Sequence, residues 1–380
     1  MKLEKMIPYS RHNISNEDVK NVLKVIKSDF LTTGPQVENF EKKLSKKFKS
    51  KYASCVNSAT SALHLTCLSL GLKAGDYLWT SAISFVASAN CGIYCGANVD
   101  FIDIDIDTLN ISVKDLEKKL YLAKLKKKLP KIIVVVHLAG NPCEMEKIHN
   151  LKKKYGFKII EDASHALGAR YKNFLVGKCN FSDACVFSFH PVKIITSAEG
   201  GAVLTNSSKI YKDINLLRSH GIDKKKNKGS WFNKQVRLGF NYRMNDIEAA
   251  LGGSQLNRLD KFLIYRNKVS NFYKKKLNKK VQLQKIDIND YCSYHLFIVM
   301  VKENLRKKIF EKLRNEGFFV NLHYMPIYNH DYYKKKFSIN RKNYPNAEKY
   351  YRTAISIPNF YDLEFKSVNK VIKIINSFYK

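Results

Sequence analysis

The chain has 380 residues, 45% of them hydrophobic, with eight cysteines and a formal net charge of +34. That length fits a large domain plus a smaller one, and no apolar run approaches the ~20 residues that a membrane span needs. The charge raises the question of nucleic acid, but the lysines lie in short runs along the whole chain, at 126–128, 152–154, 224–226, 274–276 and 334–336. With no basic stripe and no recognised binding motif, they read as solvated faces, or as a generally positive surface that attracts an anionic substrate.

The start of the chain, Met1 to Met6, leads into polar sequence without the apolar core of a signal peptide. Cys55, Cys67, Cys91, Cys95, Cys143, Cys179, Cys185 and Cys292 contain no Cys-x-x-Cys pair. Reduced core cysteines, no metal and a cytoplasmic location are therefore expected.

In chain order, residues 1–14 form a polar arm containing Tyr9. Ser15 and Asp18 have the spacing of a capping box, and Val19, Val22, Leu23 and Ile26 then recur at helical intervals. Thr32 lies in the stretch 30–35 that breaks this helix, and a second helix is predicted from about Val37 to Phe48. Tyr52–Val56 reads as a strand. Ser58, Ala59 and Thr60 then open a small-residue helix, whose N-terminus suits an anion because free N–H groups and the dipole point at it. Another helix starts within Ser84–Asn90. A strand from Val99 to Ile104 is followed by Asp105 and Asp107. With Asp103 these alternate, but they lack the glycine and final glutamate of a calcium loop, so they read as strand-end and turn residues. A helix from Ser112 to Leu120, a strand Ile132–Val136 and a helix Cys143–Tyr155 come next.

Lys158 to Asp162 reads as a strand with acids at its carboxyl end, the edge where α/β sheets bind ligands. The run Ala184 to Phe189 is also strand-like and stops before Pro191, which cannot continue a central strand. Lys193 follows in the loop, and a second apolar run spans Ala202 to Leu204. One lysine among so many says nothing by itself; an apolar, aromatic setting, however, lowers an amine pKa and makes it nucleophilic. Lys209–His220 is predicted helical and Gly221–Gln235 a charged loop. A long helix runs through about Tyr273, and a second unit from about residue 281 holds a strand Ser293–Val301 and helices Arg306–Gly317 and Phe365–Phe378. We divide the chain into the arm 1–14, a large domain 15–255 and a small C-terminal α/β domain 256–380. Alternating strands and helices predict an α/β layered core.

Lys193 on a loop, Asp162 at an upstream strand end, serine and helix N-terminus donors, and the aromatic Phe85 together describe a pyridoxal 5'-phosphate (PLP) site. PLP needs a lysine to bond to, a carboxylate to keep its pyridine nitrogen protonated, donors for its phosphate and a flat cover for its ring. Asn57–Thr60, Glu161–Ala166, Phe187–Lys193, Glu199–Gly201 and Gly239–Arg243, in this order, resemble the DegT/StrS family of sugar-nucleotide aminotransferases along nearly the whole chain. His165, where most of the family carries glutamine, resembles the branch of that family serving pseudaminic acid biosynthesis.

The resemblance implies PLP-dependent transferase fold type I, with a mostly parallel seven-stranded sheet, and a homodimer with shared active sites. It implies that Lys193 bonds to the cofactor and carries protons, and that Asp162 pairs with the pyridine nitrogen. Ser188, Ser58, Ala59 and Thr60 would hold the phosphate, Phe85 would stack on the ring, and His165 would lie beside it. Asn241 would reach the partner's cofactor phosphate. Tyr9, Thr32, His323 and Tyr324 would face the sugar nucleotide, with Arg243 a candidate for the donor carboxylate. The implied reaction is ping-pong transamination of a 4-keto-6-deoxy UDP-N-acetylhexosamine with L-glutamate, the nucleotide lying along a basic groove. Another keto sugar nucleotide remains open as substrate. A PLP-dependent dehydratase of the family would carry histidine in place of Lys193, and a nucleic-acid-binding protein would need a motif that is absent.

Overall fold

The computed structural model describes residues 6–223 and 231–379. Residues 1–5 of the arm, the lysine run 224–226 and part of the loop 221–235 lie outside the described residues.

The largest sheet has seven strands. Across it they run Tyr52–Val56, Gly201–Thr205, Ala184–Ser188, Lys158–Asp162, Ile132–Val136, Tyr77–Ser81 and Asn98–Ile102. Gly201–Thr205 is antiparallel to both neighbours, and the other pairs are parallel. The central strand Ile132–Val136 is apolar throughout because both faces are covered. Within Ile132–Val136, alternate residues serve opposite faces: Ile132, Val134 and Val136 pack into one core, Ile133 and Val135 into another. This doubly covered sheet is the expected fold type I architecture.

A smaller antiparallel sheet joins Gln282–Leu283, Phe297–Met300 and Ala354–Ile357, with the helices Glu303–Asn315 and Phe365–Ser377 packed against it. The helix Leu259–Lys276 connects the two bodies. Leu259, Phe262 and Leu263 enter a core of the large sheet, while Val269 and Tyr273 enter the core of the small one. The arm runs over the small unit, where Ile7–Pro8 pairs in parallel with Phe318–Phe319. Ser15 and Asp18 then form the expected capping box on the helix Asn16–Ile26.

Some elements differ from expectation. The single long helix after Arg243 is two, Asp246–Leu256 and Leu259–Lys276, broken at Arg258 (φ −99°, ψ 1°). The guanidinium of Arg258 there reaches Asn13 and Asp18. The strand expected over Ser293–Val301 spans only Phe297–Met300, because the residues before it bond elsewhere: Ser293 N–H to Gly140 O at 3.1 Å, and Ser293 Oγ to His165 O at 2.8 Å. The strand expected to reach Ile104 stops at Ile102, and the Asp103 carboxylate accepts from Asn346 and Ala347 N–H at 3.0 and 2.9 Å, at the start of the helix Pro345–Thr353. No metal-holding cluster occurs among the described residues. Tyr328 and Tyr333, in the C-terminal third of the chain, pack on Phe101 of the large sheet with ring centroids 6.0 and 5.8 Å apart.

Candidate active site

The carboxyl ends of the central strands open into a cavity of about 710 Å³. Its floor holds Asp162, Ser188 and Lys193. Asp162 ends its strand and is 6% exposed. One carboxylate oxygen accepts from Ser88 Oγ at 2.6 Å, the other from Ser164 Oγ at 2.6 Å and Ser164 N–H at 3.2 Å. Ser88 is in turn 2.7 Å from Ser84 Oγ. Three donors thus aim the carboxylate in a nearly dry site.

Lys193 lies in the loop between two antiparallel neighbours, where Ser188 faces Gly201. Its N–H donates to His190 O at 2.8 Å, closing a turn after the strand. Burial pushes its amine down to about 8, against the opposing attraction of Asp162. A lysine so placed has a substantial neutral fraction near neutral pH, which nucleophilic attack and proton transfer both need.

One end of the cavity is the N-terminus of the helix Ala59–Ser69. Ser58 caps it, accepting from Ser61 N–H at 3.1 Å, so its hydroxyl serves the helix first. The N–H groups of Ala59 and Thr60 have no intrahelical partner, as helix geometry dictates. Gly201 lies against this turn: a Cβ there would be 2.5 Å from Ala59 N and 2.6 Å from Ser58 C. Main chain packed this tightly around open N–H groups has the shape and donors to hold a phosphate.

The wall comes from the arm, the turn before the helix Ala87–Tyr94 and the C-terminal region. Tyr9, Phe85, His323 and Tyr324 line it. Phe85 is 55% exposed, and its ring centroid lies 5.9 Å from that of Tyr324. Tyr9 lies 4.5 Å from His323, ring to ring. Ala139 N–H donates to His165 Nδ1 at 3.3 Å, so the ring proton sits on Nε2, 3.1 Å from Tyr324 Oη. Burial, then repulsion from Lys193 and His323, holds His165 well below the ordinary histidine range. Burial, then Lys193, brings His323 down to about 3. Burial raises Tyr324 well above the usual phenol value.

Most of the expected site residues meet here: Tyr9, Ser58, Ala59, Thr60, Phe85, Asp162, His165, Ser188, Lys193, His323 and Tyr324 all line one cavity. Thr32 and Asn241 do not; both are exposed on the surface outside it. Arg243 and Thr33 line a separate hollow of about 590 Å³. Among the described residues, Lys193 is the one lysine or arginine lining this cavity. Ser88 was missed. It stands in the first turn of the helix Ala87–Tyr94, with Ser84 just before that helix, and nothing in the local sequence ties either to Asp162.

A carboxylate fixed at a strand end, a desolvated amine, a main-chain anion cradle and a half-open aromatic face are the donor set PLP requires, and each is present. The fold and this site define a PLP-dependent aminotransferase. The chain belongs to the DegT/DnrJ/EryC1/StrS aminotransferase family, which it matches over residues 12–376. It is 41% identical over 373 residues to the UDP-4-amino-4,6-dideoxy-N-acetyl-beta-L-altrosamine transaminase of Campylobacter jejuni, covering 96% of each chain. Among solved structures it resembles Helicobacter pylori PseC, an aminotransferase involved in the biosynthesis of pseudoaminic acid, with a TM-score of 0.89 and 34% identity over 98% of both chains. The PLP form of the sugar aminotransferase Spr1654 from Streptococcus pneumoniae superposes with a TM-score of 0.89 at 27% identity, again over 98% of both chains.

Proposed function

We propose that this enzyme moves the amino group of L-glutamate onto C4 of a 4-keto-6-deoxy UDP-N-acetylhexosamine, giving UDP-4-amino-4,6-dideoxy-N-acetyl-β-L-altrosamine for pseudaminic acid. The observation that carries this reading is the end-to-end 41% identity to a transaminase of that name. PLP, when bound, supplies an aldehyde for an amine to capture and a ring that draws electrons from the reacting carbon.

The chain's own residues do the rest. Lys193 would hold the cofactor through its amine and, once displaced by the donor's amine, would serve as the base that takes a proton from the donor α-carbon. In the second half-reaction the same amine carries the proton back to the sugar's C4. An amine pushed down to about 8 can do both, because neither of its protonation states is out of reach. Asp162, aimed by Ser88 and Ser164, would pair with the ring nitrogen and keep it protonated. Ala59 and Thr60 N–H groups and Ser188 hold the phosphate, with Ser58 shaping the turn. Phe85 covers the ring and excludes water. Tyr9, His323 and Tyr324 present neutral, hydrogen-bonding faces to the sugar, and His165 orients Tyr324.

We place the working form as a cytoplasmic homodimer. Eight cysteines without a disulfide suit a reducing compartment. Thr32 and Asn241, exposed and away from their own cavity, are available to a second copy's site, where Asn241 would reach the phosphate. Co-expressed Lys193→Ala and Asn241→Ala chains should then regain activity in hybrid dimers.

The decisive experiment is a substrate panel: purified enzyme, glutamate and several 4-keto and 3-keto sugar nucleotides, following 2-oxoglutarate. Turnover with another keto sugar but none with the altrosamine precursor overturns the assignment. The protein should be yellow, and borohydride should fix the cofactor to Lys193.

A further inference from the structure

One buried cation takes no part in the chemistry above. Arg266, on the helix Leu259–Lys276, is 1% exposed. Its Nη1 donates to three carbonyl oxygens, of Tyr294 at 3.4 Å, His295 at 3.2 Å and Asn359 at 2.5 Å, and its Nη2 donates to Ser10 Oγ at 3.2 Å. None of these partners is a carboxylate. Burial pushes the guanidinium down to about 9. A buried cation without a counter-charge is costly, and an apolar side chain would fill the same space without that cost. What only arginine offers is a rigid fork of five donors.

That fork gathers parts far apart in sequence: the arm at Ser10, the approach to the small sheet at Tyr294 and His295, and the turn at Asn359. Ser10 extends it. Its hydroxyl accepts from Arg266 and donates its one proton to Val192 O at 2.7 Å, the carbonyl immediately before Lys193. The neighbouring Tyr9, which lines the cavity, is held too, its carbonyl accepting from Asn359 N–H at 3.0 Å. At the N-cap of the same helix, Arg258 donates to Asn13 O at 3.1 Å. The helix therefore grips the arm at two points, and the second grip continues into the lysine loop.

We infer that Arg266 and Ser10 form a strap that fixes the main chain at Val192 and so sets the direction of the Lys193 side chain, making both of them positioning residues for the amine. The inference rests on the role given to Lys193 above.

The test uses the full-length holoenzyme with Ser10→Ala, Arg266→Lys and both together, and Lys193→Ala as a control. The readouts are the pH titration of the bound cofactor's visible absorbance, kcat and KM for both substrates, and Tm. Ser10→Ala should move the titration midpoint by about half a unit. It should also lower kcat about tenfold while both KM values stay within about twofold. Arg266→Lys should act in the same direction, and the double variant should be no worse than Arg266→Lys, since the two residues lie on one path. An unchanged midpoint and kcat in both single variants, with only Tm lowered, would make the strap purely structural and overturn the inference. If borohydride still fixes cofactor to Lys193→Ala protein, it is the lysine assignment that fails, a distinguishable result.

Discussion

The floor of the cavity and its wall handle charge in opposite ways. On the floor, the buried Asp162 carboxylate is held by three donors, and Lys193 is tuned to about 8, where it can gain or lose a proton. On the wall and just behind it, burial holds His165, His295 and His323 below the histidine range and raises Tyr9 and Tyr324 above the phenol range, so all five stay neutral. A transaminase needs this division. The proton must move at one place only, while a polar substrate is read by groups whose charge does not change with pH.

The sharpest way to break the comparison is at the floor. Lys193→Ala should lower turnover by about 10⁴-fold, because the proposed mechanism makes one residue both anchor and proton carrier. Steady-state assays with borohydride trapping check it. Asp162→Asn should cost about 10²- to 10³-fold in kcat, with substrate KM values little changed.

The pH behaviour follows from the same pair. Recombination of apoenzyme with PLP needs the neutral amine, so its rate should rise with pH and reach half its plateau near 8. In Asp162→Asn the attraction that favours the ammonium is gone, and the midpoint should move down. Stopped-flow absorbance measures both, and an upward move would contradict the floor's electrostatics.

Gly201→Ala tests the cradle between floor and wall. Its methyl group must displace the turn at Ser58 and Ala59, and PLP affinity should fall by about 1–3 kcal/mol, seen by titrating apoenzyme. The smallest effect belongs to the wall. With His323 at about 3 and His165 well below its ordinary value, KM for the sugar nucleotide should be flat from about pH 5 to about pH 8. A step near about pH 6.5 would mean that a wall histidine charges, and the division would be lost.

The floor was legible in the sequence because its residues sit at the ends of strands that composition reveals. Asp162 closes an apolar run, and Lys193 follows one that stops before Pro191. Ser88 was not legible in this way. It reaches Asp162 across 74 residues only because the helix Ala87–Tyr94 packs over the sheet. The break at Arg258 was equally hidden: no glycine or proline marks it, and the partners of Arg258 lie some 240 residues earlier. The wall depends on how the arm and the C-terminal region meet, so the motif His323–Tyr324 pointed to it while its contacts with Tyr9, His165 and Ser356 could not be read in advance.

The tight packing of Gly201 against the start of the helix Ala59–Ser69 has a consequence for mutational scanning. At that end of the site much of the recognition is written in main chain, so deleting side chains one at a time leaves it untouched. A saturation library should show it in reverse: Gly201 would tolerate almost no replacement, whatever its chemistry, while Ala59 would accept small ones. The cradle would appear as a shape that cannot be filled.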